Sequence, residues 1–283
     1  MSSVMVVARY ALREAVRRRV ILVVLLLTIC FLGLYALGCA VTFDEVESLE
    51  AGDQIDDRVL AGSTLLGLSM FTTLFLGAVL AVFLTLGVVR GDAERGLLQP
   101  LVARPVGRTS LLLGRFAGAA AVSTAYVALI YAFAVLITGI TGDWWPDRVV
   151  GPGLGLVLAV LVISAISLFG SIFLSSTANG IAVFMLFGAG LAAGLLGQIG
   201  DALAVQTLED VAAAASWLLP FEALYQAGLH GLTAETSGIT GVIVQLGPFG
   251  GAQEAGPGLW LWTVAYLALI GLGARVAFAR RDL

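Results

Sequence analysis

The chain contains no lysine; all fifteen of its basic residues are arginine. A P-loop grips nucleotide phosphates through its lysine, so this chain cannot itself carry that ATP-binding motif. Schiff-base chemistry on a lysine is excluded for the same reason. Histidine is almost as scarce: His230 stands alone, with no cysteine or second histidine near it in sequence, and offers no familiar metal-ligand pattern. The two cysteines, Cys30 and Cys39, both fall in the first apolar run. On one helix they lie roughly 13 Å apart along the axis and on opposite faces, too far to pair, so both read as apolar filler. Charge is the broadest shortage. Only 12% of the 283 residues are charged, where soluble domains carry about a quarter.

Apolar side chains fill the gap: 59% of residues are hydrophobic, with a mean hydropathy of +1.01. At 1.5 Å per helical residue, about 20 apolar residues cross the hydrocarbon core. Runs of that kind are read at about 20–41, 63–89, 116–138, 154–174, 181–199 and 259–277. Between Arg148 and Asp201 there is no charged residue, which is too long for one span and right for two. Residues 175–180, SSTANG, supply the turn formers that divide them. The expected fold is therefore all-α: a single polytopic domain over residues 1–283 with six transmembrane helices.

The flanks have their own patterns. Arg9, Arg13 and Arg17 recur at helical spacing within residues 1–19. This describes an amphipathic helix lying on the membrane surface or, more plainly, a basic flank that sets orientation. Residues 42–58 carry Asp44, Glu45, Glu47, Glu50, Asp53, Asp56 and Asp57 against Arg58 alone. Their spacing lacks the turn glycine of a calcium loop, so they read as a solvated acidic loop. Trp144 and Trp145 suit an interfacial anchor. Residues 201–257 form a longer outer segment. Its apolar parts at 217–222 and 238–251 are too short or too broken to cross, and read as helices or re-entrant pieces at the outer interface.

Orientation follows from the arginines. The N-terminal flank, the 90–115 segment and the C-terminus hold thirteen of them (five, five and three), whereas the opposite side holds Arg58 and Arg148. Fifteen of the nineteen carboxylates fall on that opposite side. The positive-inside bias makes both termini cytoplasmic, in a multi-pass protein of the plasma membrane. No ionisable side chain lies in the middle of an expected span, so proton- or sodium-coupled carriage lacks its usual groups. Haem and metal-hydrolytic chemistry lack their ligands. The chain reads as non-enzymatic, without cofactor, metal or nucleic-acid partner, its energy supplied from elsewhere.

The 90–115 segment says from where. Its sequence AERGLLQPLVARPVGRTSLLLGR, residues 93–115, resembles the cytoplasmic signature of ABC-2 type transporter permeases. Glu94-Arg95-Gly96, Leu98, Pro100-Leu101, Arg104-Pro105-Val106, Arg108 and Gly114-Arg115 follow its order. The C-terminal FARRDL and the Pro220-Phe221-Glu222 element are similar to the family as well. The branch it resembles most is the permease of nitrous-oxide reductase maturation. The resemblance implies a half-transporter that pairs with itself and with two copies of a P-loop ATPase subunit, and the leading reading makes it an exporter. It also implies that this loop holds the coupling helix, with Glu94, Arg95, Gly96, Pro100, Arg104, Pro105 and Arg108 as the ATPase-coupling residues. Their chemistry suits that task. Prolines fix the turns that bound a short rigid element, and the charges can make strong hydrogen bonds to a protein partner. Lipid headgroups would account for the arginines but not for the prolines and glycines.

Gly190 and Gly194 form a GxxxG pattern that permits close helix approach, within the subunit or across a dimer. A rival reading makes the chain a membrane scaffold or maturation-complex subunit, coupled to an ATPase without bulk transport. The acidic loop and the 201–257 segment would then be its working surfaces. Copper handling finds no support in four scattered methionines.

Overall fold

Within a bilayer an apolar run must satisfy its backbone hydrogen bonds internally, and this chain does so with helices throughout. The computed structural model describes residues 19–48, 56–86, 108–234, 236, 240 and 256–280. They form α1 (Arg19–Ser48), α2 (Asp57–Thr85), α3 (Arg108–Gly142), α4 (Val150–Phe173), α5 (Ser176–Leu203), α6 (Gln206–Leu218), α7 (Pro220–Leu232) and α8 (Pro257–Ala279). Six of these are long and apolar enough to cross a membrane. The other two, α6 and α7, have 13 residues each, about 20 Å of helix against a core of about 30 Å. Among the described residues there is no strand.

Several helices extend beyond the apolar runs that nucleate them. α1 continues to Ser48, so Asp44, Glu45 and Glu47 ride on its last turns rather than on a loop. Packing sustains this extension: the ring of Phe43 is buried against Gly142 at the end of α3. Asp56 caps α2, its Oδ1 accepting from the amides of Arg58 and Val59 at 3.1 and 3.2 Å. α3 starts at Arg108, which places Arg108 and Arg115 on a helix instead of in the connecting loop. α4 and α5 are joined by Leu174 and Ser175 alone, with Ser175 as the N-cap of α5. Residues 176–180, expected as a turn, are the first turn of α5. The surface helix expected over 1–19 and the apolar piece over 238–251 lie outside the described residues, apart from Arg19 and Thr240.

Burial sorts the helices into layers. The apolar stretches of α2 and α4 are 67% and 61% buried, against 17% for each of α1, α5 and α8. α4 is the hub, packed by α2, α3, α5, α7 and α8. Its core neighbours include Leu66, Met70 and Leu74 from α2, Val127 from α3 and Leu224 from α7. Leu22, Ile29, Met185 and Leu261 stand outward on the peripheral helices, where lipid is the solvent.

Helix direction separates the two ends of the bundle. At one end lie the last turn of α2 and the starts of α3 and α5. There Leu112, Ile172, Ala274 and Phe278 draw α3, α4 and α8 together. At the other end lie Phe43, Trp144 and the α6–α7 hairpin. Trp144 is buried over Gly62, while Trp145 lies half-exposed against Gly139. Of the pair expected at the interface, one is thus a packing residue. Cys39 is buried and Cys30 exposed, each as a free thiol.

Candidate functional site

Of the coupling residues, Glu94, Arg95, Gly96, Pro100, Arg104 and Pro105 lie outside the described residues, and Arg108 is the first residue of α3. The structure does describe how the helices carrying that loop are held. At the last residue of α2, Thr85 Oγ1 donates to Ser167 Oγ of α4 at 2.7 Å. Asn179 of α5 donates through Nδ2 to the Ser167 carbonyl at 2.9 Å. All three side chains are fully buried. Gly170 lets the Asn179 amide press directly onto α4. Hydrogen bonds between helices have few competitors in such surroundings and fix relative register. The exit of α2 is thereby tied to α4 and α5, while Leu112, just over a turn into α3, packs on Ile172 and Phe278.

The opposite end is built around α6 and α7. α5 stops at Ala204, which takes a left-handed conformation (φ 53°) while the Val205 amide donates to the Gly200 carbonyl at 2.8 Å. The chain then folds back on itself. Gly190, Gly194, Gly197 and Gly200 line one face of α5, and that face receives Phe221, Glu222, Ala212 and Leu208 in turn. The GxxxG pattern is therefore occupied within the subunit. Pro220 starts α7 with φ already suited to a helix, and α7 enters between α4 and α5. The C-terminal carbonyls of α6 have no helical partners of their own. α8 supplies two: Trp262 Nε1 donates to the Trp217 carbonyl at 3.0 Å, and the Tyr266 hydroxyl to that of Leu218 at 2.7 Å.

α5, α6, α7 and α8 border an open cavity of about 580 Å³. Asp201, Glu209, Asp210 and Glu222 line it, and among the described residues no arginine or histidine does. Trp217 and Trp262 form one wall, edge to face with centroids 5.2 Å apart. Glu222 is the unusual member. Its sequence position suggested an interfacial segment, yet it is only 5% exposed. Its Oε1 accepts from Gln226 Nε2 at 2.7 Å, and its other oxygen has no partner among the described residues. Burial pushes its carboxyl up to about 7, against a smaller downward pull from the Gln226 amide. Burial likewise raises the phenol of Tyr225, with the Glu222 charge adding to it. Gln226 also lines the cavity and keeps Oε1 buried without a partner. Among the described residues, no three His, Cys, Asp or Glu side chains converge as metal ligands would.

Sequence reading passed over this site although its signals were present. Pro220-Phe221-Glu222 stood next to a half-apolar helix, and glycines recurred along α5 at helical spacing. Only packing shows that one fits onto the other.

Six apolar helices, one of them a buried hub, define a multi-pass, all-α membrane protein. Residues 5–283 match the family described as ABC-2 family transporter protein, and the chain belongs to that family. It is the membrane component of an ABC transporter. The match is to the family as a whole and does not single out the nitrous-oxide reductase branch. No curated protein matches the sequence.

Proposed function

We propose that the chain is the permease half of a homodimeric exporter, driven by two copies of a P-loop ATPase that dock on the 90–115 loop. ATP hydrolysis belongs to that partner, because a chain without lysine has no P-loop of its own. The loop faces the cytoplasm, as do both termini, and the membrane is the plasma membrane. Support for the docking role comes from the anchoring of the loop. The helices that flank it are held: α2 ends at the Thr85–Ser167–Asn179 junction and α3 packs through Leu112 on α4 and α8, so a push carried by these two helices reaches α4, α5 and α8 as well. Support for the orientation comes from the separation of charge. Every described carboxylate lies towards the α6–α7 end, while Arg115, Arg275 and Arg280 lie towards the other.

The test is co-purification of the full chain with its P-loop ATPase in mild detergent. Arg104→Glu combined with Arg108→Glu is expected to lower recovery of the ATPase at least tenfold. Unchanged recovery together with unchanged coupling of ATP turnover would remove the docking site. Coupled ATP turnover in vesicles that move no solute would favour the scaffold reading instead.

A further inference from the structure

The cavity between α5, α6, α7 and α8 has a volume in the range that holds drug-sized ligands. Its charges are of one sign. α5 contributes Asp201, α6 contributes Glu209 and Asp210, and α7 contributes Glu222, whereas the α8 wall adds Trp262 and no titratable group. Glycine and alanine at 194, 197, 212, 213, 223, 256 and 258 keep the interior open.

Two features distinguish this from an ordinary solvated acidic patch. First, Glu222 is buried against Gly194 with one hydrogen bond, from Gln226, and an oxygen left over. A buried carboxylate is stable only if it is protonated or meets a cation, and no cation of this chain is among the influences on it. Second, Trp217 and Trp262 stand in the same wall, and indole faces attract organic cations. An inorganic cation would need converging oxygen ligands, and no such group exists among the described residues. An anion would meet four carboxylates and, among the described residues, no positive charge.

We infer that this cavity binds an organic cation carried on an apolar body, with Glu222 as its counter-charge and Trp217 and Trp262 as its aromatic wall. The cation can belong to a membrane-soluble amphiphile or to the ammonium headgroup of a lipid; the chemistry of recognition is shared. Glu209 and Asp210, on the exposed helix α6, attract the cation towards the mouth, and Glu222 holds it. As a statement of cargo class this rests on the transporter reading above, but binding itself requires no ATPase.

The full chain in phosphatidylcholine nanodiscs is titrated with tetraphenylphosphonium and with tetraphenylborate, a matched pair of opposite charge. Binding above that of Glu222→Gln discs, which corrects for partition into lipid, is the quantity read. Tetraphenylphosphonium is expected to show a specific component at least tenfold tighter than any for tetraphenylborate, and to lose affinity as the pH falls below about 7, where Glu222 takes up a proton. Because α6 has no buried residue, Glu209→Gln with Asp210→Asn leaves the core untouched, and should weaken binding about threefold with the fold intact. Equal binding of both ions, or a cation affinity unchanged in Glu222→Gln and in the α6 double variant, overturns the proposal. Discs of phosphatidylglycerol, which lacks the ammonium that phosphatidylcholine carries, separate the sources: a specific affinity that rises when the ammonium lipid is removed identifies a lipid headgroup as the occupant, and unchanged affinity identifies a free amphiphile. Failure of the Arg104→Glu, Arg108→Glu test would leave these results standing, and the reverse holds equally.

Discussion

Glu222 illustrates what burial does to one carboxyl group. In water it would ionise at 4.5, but beneath α5 it holds its proton to about 7. The unfolded chain therefore binds fewer protons than the folded one between those limits. A raised carboxyl contributes stability that is full below about 4.5 and is lost as the pH rises through about 7. The difference between the plateaus amounts to about 3 kcal/mol. Unfolding of the reconstituted chain at pH 5 and pH 8 should show that loss without a cationic ligand, and Glu222→Gln should flatten it. A wild-type protein with equal stability at both values would mean that water reaches the carboxylate.

At the scale of elements, the contact between α4 and α7 decides whether the short helix sits inside the bundle. Gly155 is the point of closest approach. A Cβ there would lie 2.7 Å from the backbone carbonyl oxygen of Leu224, and no side-chain rotation relieves a clash with backbone. Gly228 similarly faces Met70 and Pro152. Gly155→Ala should cost about 1–3 kcal/mol, the usual penalty of overpacking, measured as a shift in the unfolding midpoint in nanodiscs. Gly151, one turn earlier on the same helix, has nothing within 4 Å, and Gly151→Ala should be neutral or slightly stabilising. Equal effects from the two would mean that helix propensity rather than packing governs the position. A polar contact of the same kind holds the far end, where Asn179 reaches Ser167 across the α4–α5 joint.

At the scale of the whole molecule, charge is distributed along the bundle axis. Asp44, Glu45, Asp56, Asp147, Asp201 and Glu209 share the end that carries the α6–α7 hairpin. Arg115 and Arg275 lie towards the end where the 87–107 connection leaves α2. Translocating arginine is costly and translocating carboxylates matters less, so the axis is expected to be fixed with the arginine end inside. In a background with Cys30 and Cys39 replaced by alanine, Asp53→Cys should react with a membrane-impermeant maleimide on intact cells. Leu98→Cys should react only after lysis. Labelling in the opposite order would invert the proposed topology.

The sequence alone determined that this chain lives in a membrane and crosses it as helices. Runs such as 154–174 and 181–199 leave the backbone no alternative, and that inference needs only hydrophobicity and length. It also determined the family, because the ERG, PL, RPV and GR elements of residues 94–115 are local and contiguous. Tertiary structure decided the matters that depend on what lies across a gap. Nothing local says that Asn179, in a string that reads as a turn, belongs to a helix and bonds to α4. Nothing in Gly190 and Gly194 says whether their partner is a second subunit or, as here, Phe221 and Glu222. Above all, composition treats Glu222 as one more carboxylate in an outer segment, whereas the fold removes it from water. Solvation is a property of the surroundings, and the surroundings of Glu222 come from α5, α6 and α8 folded around its own helix.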